Sequence, residues 1–440
     1  MFIEFPAVSN VVVQDLDAVE LPAMFKVRQK FDSASITDVR THLIQELDRL
    51  GLPEDAIAGK RICIGVGSRS IPELKCIVRT LCDWLKEHHG HPFIIPAMGS
   101  HGGATAEGQM EILRGYGISE EEMDVPIISS MQVVQYGTLE DGTALYCDKN
   151  AYNADAVILI NKEKPHTCFR GSHESGLAKM IAIGFAKHKG AASFHRAGFH
   201  TFAERIPQAA ECFLKTCNVL MGIGIVENAY DKLCRVTAAR AEDVLAMDAE
   251  NLEFARHQLA NFKFNSADVL VIDEIGKNIS GHGHDPNITG RAAVPDDSFS
   301  RIFQAQRMVI LGVTEQSHHN GNGIADADIT TRRCLNSIDW SVVWTNILTS
   351  NEIRGCKIPM YANCDREAIR IAARTCMNTD LSRLKLVRIQ NTLQTDCIEV
   401  SEALYDEIKD NPEIERLEGP YHWKFDDAGD FCKEETKWNQ

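Results

Sequence analysis

Short apolar runs alternate with amphipathic stretches along most of this chain, which is the pattern that βα units require. Arg61-Ile62-Cys63-Ile64-Gly65-Val66 reads as a buried strand, and Leu74, Ile77, Val78, Leu81 and Leu85 then recur at helical spacing. Pro92-Phe93-Ile94-Ile95-Pro96 is the next predicted strand and closes a right-handed βαβ unit. Further strands are predicted at residues 156–160 and 221–225. A helical stretch of about 20 residues follows over 241–262, long enough to connect two domains.

After it the pattern restarts. Val269-Leu270-Val271-Ile272-Asp273 and Met308-Val309-Ile310-Leu311 read as strands of a smaller α/β region, with helices predicted over residues 325–335 and 366–377. A chain of 440 residues is too long for one ordinary core. The expected fold class is therefore α/β: two Rossmann-like α/β domains with a cleft between them. The first, residues 1–263, would carry catalysis and the cofactor. The second, residues 264–401, would complete the substrate cleft; the acidic and aromatic tail after Asn411 has no clear core pattern, and the tail from about 402 to 440 is expected to pack back on the first domain or be partly mobile. No short-period repeat or low-complexity segment interrupts this plan.

Composition narrows the function classes. Hydrophobic residues make up 44% and charged residues 25%, a globular composition. The formal net charge of −16 would repel a nucleic-acid backbone or an anionic membrane over most of the surface, so neither is an expected partner. The expected partner is a small molecule, and an anionic one needs a local pocket of Arg, Lys and helix N-termini. No signal segment, long apolar run or lipidation motif is apparent, so the expected location is the cytoplasm. Fourteen scattered cysteines without a CxxC pair read as small buried hydrophobes rather than a zinc or iron–sulfur site.

Three loops after predicted strands carry candidate chemistry, as loops at the carboxyl ends of an open α/β sheet should. Gly65-Val66-Gly67-Ser68-Arg69-Ser70 offers backbone amides, hydroxyls and one guanidinium to an anion, although a tight turn with a surface arginine reads equally well. Gly99-Ser100-His101-Gly102-Gly103-Ala104-Thr105 sets a histidine between glycines, either for proton transfer or as a cap on the following helix. The third stretch contains Pro165-His166, the run Gly171-Ser172-His173-Glu174-Ser175-Gly176, then Lys179 and His195. Singly, Lys179 reads as a solvated helix residue and His195 as a structural imidazole.

Together, the order Arg69, His101, Pro165-His166, Lys179, His195 resembles the lactate racemase family, whose members use a nickel-pincer nucleotide to racemise or epimerise 2-hydroxyacids. His195 follows Lys179 by sixteen positions, the family's own spacing. The resemblance covers most of the first domain. It implies an isomerase whose cofactor is pyridinium-3-thioamide-5-thiocarboxylic acid mononucleotide with nickel, attached through Lys179. It further implies His195 as the nickel ligand, His101 and His166 as paired acid/base histidines, and Arg69 as the partner of the substrate carboxylate. Ser68, Ser172 and Gly176 are the expected cofactor-binding residues beside Lys179. Enzymes that make the cofactor become implied partners, and a homo-oligomer is compatible with the chain.

Three departures stand out. The interval from His166 to Lys179 is thirteen, three longer than in the lactate enzymes. Val66 stands where those enzymes place an aspartate before their arginine. Their Gln-x-x-Lys substrate motif has no clean counterpart; instead, residues 273–291 and 314–323 form two polar runs after predicted strands. Lys277, His282, His284, Asn287 and His318 are the expected substrate contacts there, with ordinary interface loops as the bland reading. That polar set suggests a substrate larger and more polar than lactate, such as an aldonic sugar acid like gluconate or a malate-like acid. A metallohydrolase using the same histidines and a non-catalytic metabolite-binding protein are the other classes the residues allow.

Overall fold

The computed structural model describes residues 1–9, 15–67, 71–294, 298–432 and 438, with the backbone alone for Ser300 and Thr349. It is an α/β protein of two compact units. A central unit comprises Asp32–Gln258, and a terminal unit combines Met1–Phe31 with Leu259–Gln440.

In the central unit, five strands form one sheet in the order His91–Pro96, Arg61–Val66, Ala156–Lys162, Val219–Glu227, Leu233–Arg240. The first four run parallel and the last antiparallel. Strands covered on both faces must be apolar throughout, which is why these runs were legible: every residue of Arg61–Val66 after Arg61 is buried. Leu74, Ile77, Val78, Leu81 and Leu85 form the buried stripe of the helix Leu74–Glu87, each contributing about 1.5–3 kcal/mol as an upper estimate. They belong to the core on one face of the sheet. Phe185, Phe194, Phe202 and Phe213 help fill the core on the other.

From Arg61–Val66 the chain moves outward to His91–Pro96, then returns to the opposite side at Ala156–Lys162. The loops after Arg61–Val66 and Ala156–Lys162 therefore leave in opposite directions, which marks the carboxyl ends of these strands as the place where an open α/β sheet holds its ligand.

The terminal unit holds an eight-stranded sheet in the order Met360–Ala362, Ile329–Thr331, Gln304–Ile310, Ser266–Ile272, Leu386–Ile389, Cys397–Ser401, Met24–Gln29, Ile414–Tyr421. The first five are parallel and the rest pair antiparallel.

This arrangement corrects the expected domain limits. The second unit begins at Leu259, near the expected boundary, but residues 1–31 and the tail belong to it as well. Met24–Gln29 lies between Cys397–Ser401 and Ile414–Tyr421, so both chain ends are held by strand pairing. The tail also seals a buried charge: Phe431 lies 3.7 Å from the Arg388 guanidinium, and Trp438 Nε1 donates to Asp273 at 2.9 Å. Arg388 itself makes paired bonds to Asp273 at 2.7 and 2.8 Å.

Two helix predictions also change. The expected connector over 241–262 is the shorter helix Val244–His257. Residues 325–335 contain the strand Ile329–Thr331 followed by the helix Arg332–Ser337. The β-branched Ile329-Thr330-Thr331 favours a strand, and Thr331 Oγ1 caps the helix by accepting the Cys334 N–H at 3.1 Å. All fourteen cysteines are free thiols. Among the described residues, no helix is long and apolar enough to cross a membrane.

Candidate functional site

The carboxyl end of the central sheet gathers the loops that follow three adjacent parallel strands. A Cβ on Gly67 would lie 2.8 Å from Asn161 Oδ1 and 3.4 Å from Met180 Cε, so the loop after Arg61–Val66 needs glycine there to approach. Asn161 Nδ2 donates to Gly176 O at 2.7 Å, tying in the loop after Ala156–Lys162. The His101 loop joins them through Gly99, whose N–H donates to Gly184 O at 3.0 Å.

Residues 163–176 are organised around Glu174, whose side chain is fully buried. Its carboxylate accepts the N–H of His166 at 2.7 Å and of Gly171 at 3.2 Å, and it pairs with Arg170 at 3.3 Å and Arg256 at 2.7 Å. The longer interval before Lys179 thus encloses an anion of the protein's own. Glu174 fixes the backbone on which His166 stands.

Behind Gly176 lies a second buried acidic group. A Cβ on Gly176 would fall 1.7 Å from Glu163 Oε2 and 2.4 Å from Asp248 Oδ1, so the two carboxyls are pressed against this turn. Asp248 accepts from His173 Nδ1 at 2.6 Å and from the Ala178 N–H at 3.1 Å. Glu163 is held well above its ordinary range by burial first and by the Asp248 charge second. Burial and the neighbouring charge thus favour its protonated form.

Lys179 closes the short helix Leu177–Lys179, which continues into a π-turn at Met180–Gly184, marked by Phe185 N–H donating to Met180 O at 2.9 Å. Such π-turns concentrate at functional sites. His195 ends the helix Lys187–His195. Its Nδ1 lies 2.7 Å from Ala191 O, and because a carbonyl only accepts, Nδ1 carries the proton and Nε2 presents a lone pair. Burial, and then the nearby Lys179 ammonium, lower the His195 pKa. The ring is neutral, as a metal ligand must be.

His166 has the opposite tautomer. Its Nδ1 accepts the Cys168 N–H at 3.0 Å, so the neutral ring carries its proton on Nε2. Phe199 is shared by both imidazoles, 5.9 Å from His166 and 5.6 Å from His195, and Phe169 packs at a tilt against His166 with ring centroids 4.5 Å apart. Aromatic rings therefore form one wall of the site.

His101 is exposed in its loop. Gln109 braces that loop by donating to Gly99 O at 3.0 Å and His101 O at 3.3 Å. Gln109 in turn accepts at 3.2 Å from Lys187, a fully buried lysine that also bonds Pro96 O and pairs with Asp148 at 3.2 Å. Lys187 begins the helix that ends in His195, which links the His101 loop mechanically to the candidate metal ligand. Sequence reasoning missed Glu163, Glu174, Lys187 and Asp248. Nothing in their spacing distinguishes a buried charge from a solvated one.

Arg69 and Ser68 lie outside the described residues. Ser172 is exposed, whereas Gly176 is buried. In the terminal unit, Lys277 Nζ donates to Gly281 O at 2.8 Å, and Asn287 Nδ2 donates to Asp285 Oδ1 at 2.7 Å. His282 and His284 both meet Asp326, while His318 is exposed. A cavity of about 450 Å³ is lined by Ser266, Arg291, Gln304 and Lys385, among others, at the amino ends of the parallel strands. That is the end opposite to the one where such sheets bind ligands, and no predicted site residue lines it.

Residues 27–206 match the family model of the lactate racemase N-terminal domain. This segment is similar to that family's N-terminal domain. The matched segment includes His101, His166, Lys179 and His195 with the strands that position them. No curated protein matches the chain. Among solved structures, the lactate racemase apoprotein from Thermoanaerobacterium thermosaccharolyticum is similar at 15% identity and a TM-score of 0.48, over 78% of this chain and 88% of that one. A Thermotoga maritima protein is similar at 13% identity and a TM-score of 0.48, over 80% and 96% respectively.

Proposed function

We propose that the central unit holds a nickel-pincer nucleotide and inverts C2 of a 2-hydroxyacid. The observation that carries this reading is the His195 tautomer beside Lys179: a neutral imidazole with Nδ1 anchored on a carbonyl and Nε2 left as a donor. Lys179 would hold the cofactor covalently and His195 would ligate its nickel. When bound, that group supplies reversible hydride exchange at C2, and the planar 2-keto acid that results can be reduced on either face.

The protein's own residues manage the oxygen. With its proton on Nε2, His166 is set to hydrogen-bond the hydroxyl or keto oxygen at C2. It delivers that proton once Nδ1 has released the Cys168 N–H and taken up a proton of its own, so that the ring returns to neutral imidazole. His101, on its braced loop, takes the opposite role and accepts the hydroxyl proton. In the reverse direction the two exchange tasks, which for His166 requires release of the Cys168 N–H. The Phe169 and Phe199 rings limit water beside this proton traffic.

A metallohydrolase built on His101, His166 and His195 is less well supported. Among the described residues, those three do not form a metal-sized group. Substrate polarity is a separate matter: Lys277, His282, His284 and Asn287 have partners within their own unit, so a gluconate-like or malate-like acid rests mainly on His318.

The test is a panel of enantiopure 2-hydroxyacids, including lactate, malate and gluconate, incubated in D2O with protein co-expressed with the cofactor-making enzymes. Inversion at C2 without deuterium at that carbon is expected. Deuterium at C2, or no inversion of any acid, would contradict the proposal.

A further inference from the structure

In the terminal unit, two glycines let the loops after Ser266–Ile272 and Gln304–Ile310 touch backbone to backbone. Gly283 has φ +109° and Gly323 φ +87°; a Cβ on the first would lie 1.9 Å from Asn322 O, and one on the second 2.2 Å from His282 O. This contact brings Asp326, in the turn Ile324–Asp326, to both imidazoles of the Gly281-His282-Gly283-His284 run. Asp326 Oδ2 lies 2.6 Å from His282 Nε2 and 3.1 Å from His284 Nε2. The three candidate donor atoms all lie within 4.8 Å of one another. Their side chains are 6, 0 and 8% exposed, so the group is shielded from water.

A buried side-chain oxygen lies near the His282 ring. Asn322 Oδ1 is buried without a hydrogen-bond partner, although its Nδ2 reaches His282 O at 3.3 Å. Oδ1 and His282 Cε1 lie 3.4 and 3.8 Å from the position that a Cβ on Gly355 would occupy, so the orphaned oxygen and the ring border one small space. A buried carbonyl oxygen without a donor calls for an occupant.

We propose that His282, His284 and Asp326 bind a divalent transition-metal cation of the zinc class, with Asn322 Oδ1 beside it. Two imidazole nitrogens and one carboxylate suit zinc and its neighbours, whereas calcium and magnesium take oxygen almost throughout. Donors about 2.0–2.2 Å from a tetrahedral zinc stand about 3.4 Å apart. The 3.1 Å pair already approaches that figure, and the 2.6 Å pair needs to open by less than an ångström. His284 Nδ1 also meets Thr289 Oγ1 at 3.2 Å, the outer contact that orients a metal-bound imidazole. The cation would clamp the 281–284 loop to the turn before Ile329–Thr331. It would also move His282 and His284 from substrate contact to metal ligation.

The site is independent of the function proposed for the central unit, and its test keeps the two apart. Untagged full-length protein carrying His195→Ala is produced without the cofactor-making enzymes, loaded with zinc, dialysed and analysed for metal content. One equivalent of zinc, a raised melting temperature and visible ligand-field bands after cobalt substitution are expected. His282→Gln or Asp326→Asn should weaken zinc binding by at least about tenfold. Less than a tenth of an equivalent of zinc in the His195→Ala chain would overturn the proposal. Equal zinc retention in a folded His282→Gln or Asp326→Asn chain would do so as well. The stoichiometry and the cobalt spectrum stand even where a ligand variant fails to fold.

Discussion

His195 donates its Nδ1 proton to the carbonyl of Ala191, 2.7 Å away in the preceding turn of the same helix. The bond fixes both the ring's orientation and its tautomer, so Nε2 is committed as the donor atom. His195→Ala should therefore keep the Lys179 adduct while lowering nickel content several-fold. Elemental analysis alongside intact mass checks this, and unchanged nickel would remove His195 from the coordination set.

His166 and His101 should separate from the cofactor-holding residues. His166→Ala and His101→Ala are each expected to retain the adduct and to lose turnover by about 10²–10⁴, the usual share of a general acid or base. Steady-state racemisation of an accepted acid provides the measurement. Full activity in either variant would refute that residue's proton-transfer role.

Glu174 acts through the loop it organises. Glu174→Ala removes the shared partner of Arg170, Arg256 and the His166 N–H. A loss of about 3 kcal/mol is expected, the low end for breaking a buried pair because both arginines stay partly in water. Chemical denaturation gives the stability. In protein that remains folded, kcat should fall more than KM rises, since His166 is displaced while the rest of the site persists.

Glu163 gives a pH signature. Its folded pKa is raised above the ordinary 4.5, so the native state keeps a proton that the unfolded chain releases. Stability from this group is therefore present at low pH and is lost as pH rises from about 4.5 through the raised folded pKa. Glu163→Gln, which cannot ionise, should flatten the decline of stability with rising pH. Parallel slopes for variant and wild type across denaturation curves at several pH values would contradict the assignment.

The parallel strands were legible because burial on both faces leaves an uninterrupted apolar run, as in Arg61–Val66 and Ala156–Lys162. Ile414–Tyr421 was not. It pairs on one side only, at the sheet edge, and its residues from Glu415 onward show no regular alternation of polar and apolar, so neither the strand nor its distant partner Met24–Gln29 announces itself. The candidate site divides in the same way. His166, Lys179 and His195 stood out through their order and spacing, whereas the groups that hold them, Glu174, Glu163 and Lys187, depend on contacts with Arg256, Asp248 and Asp148, each contributed by another part of the fold.

Intact-mass analysis of Lys179 bears most directly on the central claim. Protein co-expressed with the cofactor-making enzymes should carry one nickel-containing nucleotide adduct, mapped to Lys179 by peptide sequencing and absent in Lys179→Ala. An unmodified Lys179 in folded protein, under conditions that load a known lactate racemase, would contradict the account.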